Sequence, residues 1–262
     1  MTPASPAERL RPLALVTGAS RWTGIGAAIA LALARDGWDV ATIFWRPYDE
    51  QMPHGSDPAD VNALHDQLVA CGAKTLPIEA DLSLVETPAL IFDAVERAIG
   101  GVTALVMSHT ESVASDIMGT TIESFDRHFA VNARANWLLV REFGRRFRGT
   151  PGRGRIVALT SDHVHGHVPY GASKGALDRI VLAAAREFRD LGITANVVNP
   201  GPTDTGWMTA DQMRDVARLT PRGRVGRPAD CANLVTFLCS EAGGWINGQL
   251  LRSDGGLSGA PL

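Results

Sequence analysis

Short runs of aliphatic and β-branched residues alternate along this chain with longer, alanine- and leucine-rich stretches whose apolar positions recur every three or four residues. The short runs read as strands buried on both faces, the longer stretches as helices with one apolar side. This pattern predicts strands at residues 13–16, 40–44, 75–79, 104–107, 156–160, 194–198 and 249–252. It predicts helices at 25–36, 59–71, 88–98, 122–146, 170–191, 209–219 and 228–239. Regular alternation of the two types implies an α/β fold, a Rossmann-type doubly wound parallel sheet of about seven strands with helices on both faces. With no internal repeat, residues 1–262 are expected to form a single domain, with 1–11 as a flexible tail. Four turn-rich stretches remain, at 46–58, 109–121, 161–169 and 199–207. All four begin at or just past the C-terminal end of a predicted strand, where open parallel sheets bind ligands.

Composition narrows the possible functions. At 45% hydrophobic and 20% charged residues, 262 residues can close a substantial core. A formal net charge of -3 gives no electrostatic reason to expect nucleic acid as a partner. Cys71, Cys231 and Cys239 are too few and too scattered for a disulfide framework or a zinc site, and read as reduced thiols. The first residues lack an apolar signal core, and the apolar run at 27–34 falls far short of the ~20 residues that span a bilayer. A cytoplasmic protein with no membrane partner is expected.

The stretch LALVTGASRWTGIGAAIALALA places a strand, then Gly18, Gly24 and Gly26, then a helix, with DVATIF completing a βαβ unit. Glycines suit such a turn because a pyrophosphate must approach bare backbone N–H groups at a helix N-terminus. Further on, Tyr170 and Lys174 stand four apart at a helix start and so share one face. A phenol exchanges protons poorly near neutral pH unless a nearby cation favours its ionised form, and Lys174 supplies one.

On these motifs the chain, from about residue 13 to 256, resembles the short-chain dehydrogenase/reductase family, whose usual cradle is TGxxxGIG. Here Trp22 and Thr23 lengthen the cradle, a spacing similar to that of the family's divergent enoyl-reductase branch. In that branch, however, the Tyr and Lys lie seven apart, and seven residues before Lys174 stands His167. The resemblance therefore implies hydride transfer between a nicotinamide cofactor and a C=O/CH–OH pair, with Tyr170 exchanging the proton and Lys174 binding the ribose and lowering the phenol's pKa. It also implies that Ser161, or its neighbour Thr160, binds the substrate oxygen, although only eight residues separate Ser161 from Tyr170, fewer than usual. Asn132 matches the helix asparagine that kinks its helix and holds a water leading to the lysine.

Other cofactor contacts follow from the same resemblance: Gly18, Ser20, Arg21, Gly24, Ile25 and Gly26 in the cradle, Asp81 and Leu82 beside the adenine, and Ser108 after the fourth strand. Pro200 and Gly201 form the family's PG turn, followed by Thr205, or Thr203, at the nicotinamide amide. No acid ends the second strand and Arg46 comes next, so NADPH is expected over NADH, with Arg46 as the phosphate partner and Arg21 in support. Ser108 and His109 stand where the family has the amides of NNAG. The alternating His163, His165 and His167 have no carboxylate or cysteine pattern nearby, so no metal is expected and they read as a polar lining of the substrate mouth. Trp207, Met208 and Met213 form either an apolar lid or ordinary packing. A small carbonyl or alcohol is the expected substrate, and a homotetramer or homodimer the expected assembly. The alternatives are an enoyl reductase and a catalytically idle NADPH-binding regulator or scaffold.

Overall fold

The computed structural model describes residues 11–52, 55–163 and 165–259. In chain order the main elements are β1 (Leu13–Thr17), α1 (Ile25–Arg35), β2 (Asp39–Phe44), α2 (Arg46–Glu50), α3 (Pro58–Ala70), β3 (Thr75–Glu79), α4 (Thr87–Ala98) and β4 (Ala104–Met107). There follow α5 (Ile122–Phe129), α6 (Ala135–Arg146), β5 (Arg155–Leu159), α7 (Val168–Glu187), β6 (Thr194–Asn199), α8 (Ala210–Leu219), α9 (Pro228–Cys239) and β7 (Leu250–Arg252). The seven strands form one parallel sheet in the order β3-β2-β1-β4-β5-β6-β7. Chain order reverses on the two sides of β1, so the crevice outside the C-terminal ends of β1 and β4 is the expected ligand site. Pro77 is tolerated in β3 because that strand lies at the sheet's edge, with β2 as its one neighbour.

Two apolar layers cover the sheet. On one face Ile91, Phe92, Leu139, Phe143, Leu177 and Val181, from α4, α6 and α7, pack on Leu15, Leu105 and Ile156. On the other, Ile29, Leu33, Leu64, Leu68, Val235 and Leu238, from α1, α3 and α9, pack on Val16, Val40 and Val106. Each fully buried Leu, Ile or Phe contributes about 1.5–3 kcal/mol over an exposed one. Cys231 and Cys239 are free thiols in the second layer, and burial pushes both up to about 12.

Three sequence expectations change here. The continuous helix at 122–146 is interrupted by a π-turn at Ala130–Arg134. An apolar stripe survives such a turn, which adds only one residue to the helical repeat, so periodicity does not reveal it. The stretch at 46–58 contains the one-turn helix α2 and the first residue of α3. The helix expected at 170–191 runs instead from Val168 to Glu187 and is followed by a 3-10 turn at Arg189–Leu191. Of the expected tail, residues 1–10 lie outside the described residues. Arg11 is anchored: its guanidinium donates to the carbonyls of Ala34 and Trp38 at 2.8 and 2.9 Å and lies 3.4 Å from Asp39. Among the described residues, no helix is long and apolar enough to cross a membrane.

Candidate active site

The glycines of the first βα turn are fixed by close approach. Gly18 has φ +75°, and a β-carbon there would stand 2.6 Å from the His109 backbone nitrogen. A β-carbon on Gly26 would stand 2.2 Å from the Gly18 carbonyl oxygen. The turn therefore packs backbone to backbone, and α1 begins at Ile25 with no side-chain cap on its first N–H groups. Free N–H groups at a helix N-terminus beside bare glycine backbone suit a pyrophosphate.

Trp22 and Thr23 lie at the tip of a tight turn in which the Gly24 N–H donates to the Arg21 carbonyl at 3.0 Å. Trp22 is exposed, and its backbone N–H donates to Asp60 at the start of α3 at 2.8 Å. Neither residue lines the cleft that runs from this turn across the strand ends.

That cleft holds about 650 Å³, within the usual range for small-molecule sites. Of the residues singled out by sequence it gathers Gly18, Ser20, Arg21, Gly24, Ile25, Gly26, Asp81, Leu82, Ser108, Ser161, Tyr170, Lys174, Pro200, Gly201, Thr203 and Thr205. Three other nominees are placed differently. Arg46 turns away from the cleft and makes a two-pronged pair with Glu79, at 2.9 and 2.6 Å, on the open surface. Because β3 lies beside β2, it offers Arg46 a carboxylate that the sequence gives no sign of. Met213 does not line the cleft, whereas Trp207 and Met208 do. Asn132 is buried at the π-turn, behind the cleft wall.

Around the reacting position, Ser161 and Tyr170 line the cleft beside one another, so the short connection between them still brings the two together. Burial is the larger influence on the phenol and pushes its pKa up, while the neighbouring Ser161 hydroxyl opposes the rise. The phenol's net shift is upward, so burial outweighs any lowering by Lys174. The ammonium sits 5.8 Å from the centre of the Tyr170 ring and donates to the Leu159 carbonyl at 3.0 Å. Burial brings Lys174 down to about 8, opposed by Asp178.

The Asn132 side chain accepts from the Glu111 N–H at 2.7 Å and donates to the Glu111 carbonyl at 2.8 Å and to the Ser173 hydroxyl at 2.9 Å. It thereby clamps the segment after β4 to α7. The Asn132 carbonyl accepts from the Asn136 amide at 2.8 Å.

His109, which stands where the family has an amide, ties neighbouring elements together. Its Nε2 faces the Val131 carbonyl at 3.1 Å and must carry the proton, so Nδ1, 2.6 Å away, accepts from the Thr17 hydroxyl. This joins β1, the end of β4 and the π-turn. Burial, helped by the nearby Lys174 charge, lowers His109 to about 3 and keeps it neutral.

Sequence reasoning missed Tyr48, Asp49, Glu111 and Arg127, all of which line the cleft. The Tyr48 hydroxyl lies 3.1 Å from the Ser112 N–H that donates to it, and Glu111 pairs with Arg127 at 3.1 Å. The only signal for the first two was the helical spacing of α2, too short to register. Of the three histidines, His163 and His167 line the cleft and meet edge to face at 4.5 Å. Among the described residues no group of three metal-ligating side chains is placed to hold an ion.

A family model described as enoyl-(acyl carrier protein) reductase matches residues 18–258. The uncharacterized oxidoreductase YjdA of Bacillus subtilis is 34% identical over 93% of this chain and 96% of its own length. The chain belongs to the short-chain dehydrogenase/reductase family. As a member it is an oxidoreductase that uses a nicotinamide cofactor, and the interlocked glycines of the cradle fit the pyrophosphate of such a cofactor. A second relative is the NADPH-dependent aldehyde reductase-like protein of Arabidopsis thaliana, 32% identical over 93% of each chain. Among solved structures, the angucycline C-6 ketoreductase LanV with bound NADP superposes with a TM-score of 0.83 at 30% identity, covering 96% of this chain and 97% of its own.

Proposed function

We propose that this reductase converts a ketone or aldehyde to the alcohol, using NADPH and Tyr170 as the proton donor. The observation that carries this is the convergence of Ser161, Tyr170 and, one turn along α7, Lys174 on the same cleft as the glycine cradle, with the ammonium 5.8 Å from the phenol ring. A nicotinamide held by the glycine cradle would supply the hydride for the carbonyl carbon. Ser161 holds the carbonyl oxygen against the phenol, and Tyr170 gives that oxygen its proton, so one hydride at carbon and one proton at oxygen complete the alcohol. Lys174 binds the ribose hydroxyls, and its charge then favours the phenolate left behind.

The family model's description and the lengthened cradle favour enoyl reduction instead. Against that reading, the phenol stands four residues from Lys174, and His167 occupies the place seven residues away. NADPH is supported by Arg21, the cation beside the cradle, and by the NADPH- and NADP-linked relatives. A 2′-phosphate would compete for Arg21 with Asp49, 3.7 Å away. We further assign the protein a homo-oligomeric state and a cytoplasmic location.

The test is a panel of 3-oxoacyl thioesters, polyketide-type ketones, cyclic ketones, aldehydes and enoyl thioesters, followed by NADPH absorbance. Tyr170→Phe should lower turnover of the best carbonyl by about 10²–10⁴-fold with little change in NADPH affinity. A Phe variant that keeps most of its turnover, or a wild type active on enoyl thioesters alone, overturns the assignment.

A further inference from the structure

In the sheet order, β1 and β6 are separated by β4 and β5, a span of roughly 14 Å at the usual strand spacing. Yet the segment after β6 reaches back to the loop after β1. Arg21 donates through Nη1 to the Thr205 carbonyl at 2.7 Å, and its guanidinium lies 5.9 Å from the centre of the Trp207 ring. Between those two residues Gly206 adopts φ +86°, and a β-carbon there would stand 4.0 Å from the same Nη1, so the segment bends around the guanidinium. On its other side the Arg21 Nε lies 3.7 Å from Asp49 of α2. The side chains of Arg21 and Asp49 are only 15% and 6% exposed, unlike an ordinary surface pair.

The segment is anchored at both ends. The Asp204 N–H donates to the Gly226 carbonyl at 2.8 Å, and Thr209 forms a capping box with Gln212 at the start of α8. Residues 205–208 thus form an arch over the ends of β4 and β5, where Ser108, Ser161 and Tyr170 line the cleft. Arg21 is the cation at its crown.

We propose that Arg21 latches this arch as a lid over the reacting carbonyl, and so acts as a positioning residue for substrate in addition to any contact with cofactor phosphate. The role in substrate binding rests on the carbonyl-reductase reading above. An arginine suits the place because one planar group meets a carbonyl, an aromatic face and a carboxylate together, whereas a lysine ammonium is a point charge. Closing such a lid excludes water and fixes the carbonyl against its proton donor. The lengthened cradle fits this role, since its outward turn at Trp22 and Thr23 leaves the Arg21 side chain directed to the arch.

Hydrogen exchange on the cofactor-free full chain tests the latch without turnover. Arg21→Ala should speed amide exchange of residues 205–208 by about tenfold or more, leaving β1 and β4 unchanged. Trp207→Leu, which removes the aromatic face only, should speed the same amides, and it decides the matter if the Ala variant does not fold. Exchange within twofold of wild type in the variants that fold would overturn the latch. The second arm uses NADH, which has no 2′-phosphate, with the best carbonyl of the panel. Arg21→Ala should raise KM for that carbonyl about tenfold with kcat within threefold, and Trp207→Leu should do likewise. An unchanged KM alongside faster exchange would overturn the substrate role. If the carbonyl-reductase reading itself fails, the wild type turns over no carbonyl, and the exchange result still decides the latch.

Discussion

At the scale of single residues, the chain solves one structural problem with unusual chemistry. His109 does with two ring nitrogens what an amide would do, bridging the Thr17 hydroxyl and the Val131 carbonyl. Only the neutral imidazole can both donate and accept there, and burial lowers its pKa to about 3 from an ordinary 6.5. Between those values the unfolded chain binds a proton that the folded protein refuses. Stability contributed by His109 is therefore complete above about pH 6.5 and is lost as pH falls toward 3, by up to about 1.4 kcal/mol per pH unit. His109→Leu, which offers neither a donor nor an acceptor, should be less stable at pH 7, by about 1–3 kcal/mol for the lost bridge. It should also lose less of its remaining stability between pH 6 and pH 4. Urea unfolding midpoints of the two proteins across that range test this, and parallel curves would mean that His109 is not the group titrating.

At the scale of elements, the glycine loop separates two tasks. Gly18 and Gly26 interlock with no room for a β-carbon, whereas Trp22 and Thr23 occupy the tip of an outward turn and touch nothing in the cleft. Removing both would join Arg21 to Gly24, whose backbones already meet across the turn at 3.0 Å. The exposed Trp22–Asp60 bond would be lost at little cost. The shortened protein should remain folded and bind NADPH within about tenfold of the original, or about 1.4 kcal/mol, by calorimetric titration. Abolished binding in a folded variant would show that the insertion itself makes phosphate contacts. Likewise, the π-turn at Ala130–Arg134 is where Asn132 leaves the ordinary helical path to clamp Glu111, so the break in the helix serves the site.

For the molecule as a whole, the elements at the C-terminal end carry large apolar side chains in water. Trp245 is 97% exposed, and Phe237 and Leu250 are about two-fifths exposed. Leu250 belongs to β7, the open edge of the sheet, which is a natural place for a second copy to pack. Light scattering should give a mass that is a multiple of the protomer's, and Trp245→Asp should reduce it. A monomeric wild type would leave this surface without the proposed partner.

The sequence alone determined whatever depends on spacing along the chain. The two hydrophobic periods fixed the order of strands and helices, because each element must bury its own apolar face. The glycine spacing placed the cradle, and the Tyr170–Lys174 spacing placed two groups on one helical face. Tertiary structure decided what depends on neighbours far apart in sequence. Arg46 and Arg21 look alike as cations near a second strand and a cradle, but β3 brings Glu79 to the first and the arch after β6 brings Thr205 and Trp207 to the second. Tyr48 of α2, Arg127 of α5 and Glu111 of the segment after β4 meet at the cleft through a tertiary arrangement that no periodicity encodes. The pKa of Tyr170 likewise follows from how deeply the folded chain buries the phenol, a quantity that exists only once the sheet and α7 have closed around it.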